Sequence, residues 1–246
     1  MGCFGGKKSV RRSTSEPRAD ESPAVVCEAR DVTVPMQNRQ GNATRTRLVK
    51  TAERLFAAHG VDAVSVRAVN AAAGLGPSSV NYHFGTKDDL IAAVLLDLGA
   101  AVRDRIRANA DVLAARAEPP TAETLVRAVT EPYRDLLLAH RTRGMRWIKI
   151  VTQLSLVSHP ALIASEQDLP DQLHVQLRRA FPASDPERLE ARWAIALMGF
   201  LQALSRADDW HPGATPPPAQ ELAALYEDQV VFLIGGLDRL LSGTAR

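Results

Sequence analysis

The sequence holds very little that covalent or metal chemistry could use. Its two cysteines, Cys3 and Cys27, both fall near the N-terminus, and no His/Cys cluster completes either into a zinc site or a disulfide framework. The six histidines are scattered, and no nucleophile elbow, phosphate-cradling glycine loop or zinc-protease motif occurs, so no enzyme activity, cofactor or metal is expected. Long apolar runs are missing too. Val230 to Ile234 is unbroken, but a bilayer span needs roughly 20 apolar residues. No hydrophobic signal segment follows Met1, so a cytoplasmic protein without a membrane partner is expected. Aromatic residues make up only 5% of the chain, and the alternating pattern of a half-buried strand is not found.

What is present is alanine, leucine and helical spacing. With 46% hydrophobic content in 246 residues the chain can bury a sizeable core, and apolar residues recurring at three and four predict an all-α protein of two unequal domains. The formal net charge of +2 is unevenly spread. Residues 1–42 and 43–90 each carry two more basic than acidic residues, whereas residues 91–246 carry two more acidic ones. A polyanion partner at the N-terminal end fits that division.

Three regions follow from composition. Residues 1–41 mix Gly, Ser, Pro, Arg and Glu without periodicity and read as a flexible tail. Residues 42–90 form a compact helical unit, and residues 91–246 a larger one. In the first unit a helix from about Ala43 to His59 carries Leu48, Ala52, Leu55 and Phe56 on one face and Arg45, Arg47, Lys50 and Arg54 on another, and Gly60 ends it. Ser65 then caps a second helix with Val66, Val69, Asn70 and Ala73 on its inner side. Gly74 stops that helix, and Pro77 opens a short third one reaching Phe84. This last helix is polar over most of its surface. Ser78, Ser79, Asn81, Tyr82 and His83 can all hydrogen-bond, while Val80 and Phe84, four apart, anchor it. A helix so constituted is suited to face something outside the protein. Thr86 and Asp89 predict a capping box at the start of a long connecting helix to about Ala115.

The larger unit reads as further helices over Thr121 to His140 with a kink at Pro132, Met145 to Ser158, Pro170 to Phe181, a helix capped by Ser184-Asp185-Pro186-Glu187 that runs to Ala207, and Gln220 to Leu241. The last carries Leu222, Leu225, Tyr226, Gln229, Val230, Leu233, Leu237 and Leu240 along one stripe and Phe232 and Ile234 off it. It is therefore apolar on two sides, more than a single packing partner requires.

The stretch A-E-R-L-F-A-A-H-G, followed by V-S-V-R-A-V-N-A-A-A-G-L-G-P-S-S-V-N-Y-H-F-G-T-K-D-D-L, resembles the DNA-binding domain of the TetR (tetracycline-repressor) family of bacterial regulators. The likeness covers about Thr44 to Leu96. Two positions depart from the family pattern: Asn70 stands where a small apolar residue is more usual, and Asn81-Tyr82 where Leu-Tyr is common. The resemblance implies an N-terminal three-helix helix-turn-helix domain followed by a larger helical ligand-binding and dimerisation domain. It implies a repressor that binds a near-palindromic double-stranded DNA operator as a homodimer and is released by a small effector. Ser78, Ser79 and Asn81 would then meet base edges, and Thr44, Ser65, Arg67, Tyr82, His83 and Lys87 the phosphates. Dimerisation through the last two helices would involve Trp193, Leu197, Phe200, Leu225, Gln229, Phe232 and Leu233. The effector cavity would draw on Tyr133, Leu137, Met145, Trp147, Val151, Leu154 and Phe200, whose scarcity of charge implies a largely apolar ligand. The competing expectation is a helical protein–protein interaction protein that binds no DNA.

Overall fold

The computed structural model describes residues 36–166, 170–209 and 216–241, so residues 1–35 of the tail expected over 1–41 lie outside the described residues, and residues 36–41 are helical. Ten α-helices carry the fold, and no strand occurs among the described residues. They are α1 (Met36–His59), α2 (Val66–Ala72), α3 (Ser79–Phe84), α4 (Lys87–Ala114), α5 (Ala122–Ala139), α6 (Arg141–Leu156), α7 (Pro160–Glu166), α8 (Pro170–Ala180), α9 (Pro186–Ser205) and α10 (Ala219–Leu241).

Most boundaries follow local chemistry. The Ser65 hydroxyl caps α2 by accepting the Ala68 amide, Thr121 caps α5 through Thr124, and Asp185 caps α9 through Arg188. Thr86 and Asp89 form the expected reciprocal capping box, each side chain accepting the other's backbone amide at 3.1 Å. Four differences have physical causes. Helix α1 starts at Met36, seven residues before the expected Ala43, since nothing in 36–42 breaks a helix beyond the single Gly41. Helix α6 starts at Arg141 because His140 serves as the last residue of one helix and the first cap of the next. The short α7, not expected from the sequence, is set up by His159, whose Nδ1 accepts the Ala161 amide. Ser184, expected to cap α9, instead donates its hydroxyl to the Leu241 carbonyl at 2.6 Å and ties the end of α10 to the start of α9.

A small core joins α1 to α4: Leu48, Val49, Ala52 and Phe56 meet Val64, Val69, Val80, Leu90 and Ile91, all buried. At about 1.5–3 kcal/mol for each large apolar side chain withdrawn from water, this core holds the first unit together. Helix α4 leaves it and runs on beside α5, α7 and α8, so one rigid element belongs to both units. In the larger unit α5 packs on α10, α6 on α9, and α9 on α10. Tyr226 of α10 is fully buried on α5, its hydroxyl 3.1 Å from that of Thr130, and Arg127 of α5 reaches Glu227 at 3.4 Å.

Candidate nucleic-acid interface and effector cavity

The polar third helix of the first unit stands at the surface. Ser78, Asn81 and Tyr82 are exposed, with Tyr82 at 84%, while Val80 is fully buried and Phe84 half-buried. Ser78 precedes α3 without making a capping hydrogen bond, so its hydroxyl is not consumed by the helix. Helix α3 begins at Ser79, two residues after the expected Pro77, and its side chains Ser79, Asn81, Tyr82 and His83 lie within six residues of one another. His83 sits between its neighbours, its ring edge-on to Tyr82 at 5.0 Å and tilted against Phe84 at 6.4 Å.

Two backbone features aim this helix. Gly74 has φ +63°, a left-handed conformation that an L side chain adopts only with strain, and a Cβ there would lie 3.1 Å from Arg47 Nη2. Asn70 does the rest. Its Nδ2 donates to the Pro77 carbonyl at 2.7 Å, and its Oδ1 accepts the Val80 amide at 3.1 Å. The side chain is 1% exposed, so it stitches α2 to the first turn of α3 from inside the core. The sequence places Asn70 on the inner side of α2 and marks it as a departure from the family pattern, but does not reveal these partners. They lie seven and ten residues away, where helical spacing gives no signal.

Of the remaining expected contacts, Lys87 is half-buried at the first position of α4, three residues after the end of α3, and Arg67 and Ser65 are exposed at the start of α2. Ser65 already accepts the Ala68 amide at 3.2 Å, and Thr44 donates to the Gln40 carbonyl at 3.0 Å, so both hydroxyls have an internal partner. Arg45 lies over the Phe84 ring at 4.8 Å and fastens α1 to α3, a contact worth about 0.5–1 kcal/mol at an exposed site. With Arg47 near Gly74 it adds basic charge beside the helix-turn-helix, from the face of α1 opposite its apolar stripe.

A cavity of about 290 Å³ opens in the larger unit between α4 and α9. It is lined by Ile106, Val129, Tyr133, Val151, Ser155, Leu162, Leu173, His174, Trp193, Ala194, Leu197, Met198, Phe200 and Leu201. Of the residues expected to line it, Tyr133, Val151 and Phe200 do. Trp147 borders a smaller recess beside it, which shares Ile106, Tyr133, Val151 and Leu162 with the cavity. Leu137, Met145 and Leu154 do not line the cavity; they are buried core, because the faces of α5 and α6 that carry them point at neighbouring helices. Tyr133, Ser155, His174 and the indole N–H of Trp193 supply the hydrogen-bonding groups of the lining, and none of the lining residues is a Lys, Arg, Asp or Glu. Behind His174 stands Glu190, 4.0 Å from its Nδ1; a hydrogen bond from Arg178 at 2.5 Å holds the Glu190 carboxyl below its ordinary range.

Three of the expected dimer residues need correction. Trp193, Phe200 and Leu233 are buried inside the protomer, and Leu197, Leu225 and Gln229 are half-buried; of the set, Phe232 alone is exposed, at 75%. The most regular apolar stripe of each helix serves the protomer's own core, and Trp193, Leu197 and Phe200 line the cavity. A second stripe faces outward: Ile195 and Met198 on α9, Val231 and Phe232 on α10, with Ile195 70% and Val231 66% exposed. No atom lies within 4 Å of a Cβ placed at Gly199 or Gly235 on the same helices.

Among the described residues no helix is long and apolar enough to cross a membrane, and no group of three or more His, Cys, Asp or Glu could hold a metal ion. Residues 48–94 match the family described as bacterial regulatory proteins, tetR family. No curated protein matches the sequence. Solved structures share the fold. One is SmeT, the repressor of the Stenotrophomonas maltophilia multidrug efflux pump SmeDEF, with a TM-score of 0.55 and 20% identity over 81% of this chain and 91% of that one. Another is the fatty acid degradation regulator FadR from Bacillus halodurans, with a TM-score of 0.54 and 16% identity over 79% and 96%. A third is SCO4454, a TetR-family transcriptional regulator from Streptomyces coelicolor, with a TM-score of 0.52 and 23% identity over 82% and 97%.

Proposed function

We propose that the chain, whose residues 48–94 match the family described as bacterial regulatory proteins, tetR family, is a helix-turn-helix transcriptional regulator that acts as a homodimeric repressor and is released from its operator by a largely apolar effector. The observation that carries the DNA-binding part is the exposed, polar α3, anchored by Val80 and braced by Asn70. In the docked complex α3 enters the major groove. Ser78, Ser79 and Asn81 read base edges, with Asn81 suited to adenine, while Thr44, Ser65, Arg67, Tyr82, His83 and Lys87 contact phosphates.

One such helix is too short to select a site, so a second copy is required. The outward apolar stripe of Ile195, Met198, Val231 and Phe232 supports a four-helix bundle of α9 and α10 with their symmetry mates. Two α3 helices then lie about 34–36 Å apart, one turn of DNA, on a near-palindromic site.

The cavity between α4 and α9 supports an apolar effector. Its walls are aliphatic and aromatic, and Tyr133, Ser155 and His174 offer hydrogen bonds to a small polar group without supplying a fixed charge. A compound that binds one arrangement of the helices better than the other shifts the protein out of its DNA-binding arrangement.

The test is a selection of genomic fragments bound by the purified protein, followed by mobility shifts across a salt series. A repressor of this kind enriches discrete near-palindromic sites and loses affinity steeply with salt. Failure to bind any DNA at low salt favours the alternative, a helical interaction protein, and overturns the assignment.

A further inference from the structure

Helix α6 touches both units within its first two turns. Arg143 donates through Nε at 2.8 Å and Nη2 at 2.5 Å to the same oxygen of Glu53 on α1, and through Nη2 to Asp97 on α4 at 2.5 Å. Glu53 is 2% exposed, and a second arginine of α6, Arg146, stands 3.7 Å from its other oxygen. A carboxylate withdrawn this far from water depends on its partners, because removing one leaves an uncompensated buried charge. Four residues on, and therefore on the same side of α6, Trp147 lies against α4. Its indole N–H donates to the Leu95 carbonyl at 2.9 Å, and a Cβ on Gly99 would fall 2.5 Å from its Cζ2. Trp147 borders the recess that shares Tyr133 and Val151 as lining with the cavity.

We propose that Trp147 and Arg143 form the route by which occupancy of the cavity reaches the DNA-binding domain. An occupant that extends into the recess presses Trp147 off its seat at Gly99, shifts the first turns of α6, and withdraws Arg143 from Glu53. The clasp has two settings: Glu53 is either hydrogen-bonded to Arg143 or left buried with only the more distant Arg146, and the α1–α4 unit then no longer holds its position relative to α6. This couples the two sites through differential contacts. The proposal rests on the reading of the cavity as the effector site, and it adds which residues carry the signal.

Gly99→Ala supplies the push without any ligand. The wild type, Gly99→Ala, Arg143→Met, the double variant, and Gly99→Ala with Trp147→Phe are compared by affinity for a genomically selected fragment and by hydrogen exchange of peptides covering residues 48–56 and 141–148. Gly99→Ala is expected to weaken specific DNA binding about tenfold and to speed exchange in both segments. Trp147→Phe restores both by removing the clashing ring, and in the Arg143→Met background Gly99→Ala has no further effect on residues 48–56. Glu53→Gln, which leaves the cavity untouched, is expected to speed exchange at 141–148 and carries the test if Gly99→Ala fails to fold. The proposal is overturned if Gly99→Ala loosens 141–148 while 48–56 and DNA affinity stay unchanged, or if its effect adds in full to that of Arg143→Met. Should the wild type bind no DNA, the regulator reading fails, and the exchange data alone still decide whether the two segments are coupled.

Discussion

The Oδ1 of Asn70 accepts the Val80 amide at 3.1 Å, across the turn that separates α2 from α3. Val80 is the second residue of α3, so its N–H belongs to the first turn, where a helix cannot supply its own acceptor. The same side chain donates to the Pro77 carbonyl at 2.7 Å. Asn70→Ala leaves the buried Val80 amide unpaired, at about 1–3 kcal/mol, and removes the part-buried bond to the Pro77 carbonyl as well. The expected outcome is a lower melting temperature together with loss of DNA binding beyond what the lost stability explains, because α3 is no longer held at its angle. Thermal unfolding and mobility shifts on the same preparation check this. A variant that melts early yet binds DNA as well as the wild type shows that the brace does not aim the helix.

Base reading and phosphate contact separate in titrations. Asn81 is exposed on α3, and Asn81→Ala is expected to relax preference at one base pair by about 1–3 kcal/mol while leaving the salt dependence alone. Lys87 sits at the head of α4, and Lys87→Ala is expected to weaken binding uniformly across sequences and to reduce the salt slope by about one. Binding measured on an operator series at several salt concentrations distinguishes the two. Identical behaviour of both variants and the wild type contradicts the docking.

Tyr226 links α10 to α5, and burial pushes its phenol above the usual tyrosine range, partly opposed by the hydrogen bond with Thr130. The folded state then retains a proton that the unfolded chain gives up above a pH of about 10, so unfolding is favoured as the pH rises through that value toward the folded one. Stability is expected to fall on that alkaline limb. Tyr226→Phe, which has no proton to lose, should flatten the limb, although it costs stability near neutrality by leaving the Thr130 hydroxyl without this partner. Denaturant unfolding of both proteins at a series of alkaline pH values measures the difference; parallel curves count against a buried neutral phenol.

Helix type and order were legible because they are set by neighbours in sequence. The Ser65 and Thr86 caps, the glycine stop at Gly74 and the three- and four-residue apolar spacing act within one or two turns. The polar character of α3 could be read from six residues for the same reason. What escaped depends on distant partners. Glu53 looks like one more charge on the wet side of α1 until Arg143, 90 residues later, covers it. Trp193, Phe200 and Leu233 were expected at a dimer surface because an apolar stripe in a sequence does not say which neighbour it faces. Trp193 and Phe200 belong to the most regular stripe of α9 and turn into the protomer, whereas Ile195 and Met198, less regular, turn out. Of the cavity residues, Leu137, Met145 and Leu154 are as apolar as Val151, and only the packing of α5 and α6 decides that they fill space and do not line it.

That correction yields the sharpest test of assembly. Phe232 is 75% exposed and Val231 66% exposed in the protomer, so aspartate at either position meets water as long as the chain is alone. In a two-fold bundle of α9 and α10 each substitution appears twice and buries two like charges against an apolar surface. Phe232→Asp is therefore expected to leave the helical content and melting of the isolated protomer intact and to convert the protein to a monomer in sedimentation. Its affinity for a palindromic fragment should fall more than about tenfold, since a single α3 then has to hold the site. Trp193→Ala behaves oppositely: the side chain is 5% exposed and its loss opens space in the protomer, at about 3–5 kcal/mol of stability, without changing the association state of the protein that remains folded. If Phe232→Asp still sediments as a dimer, the partner chain meets a different surface, and the spacing of the two reading helices has to be sought there.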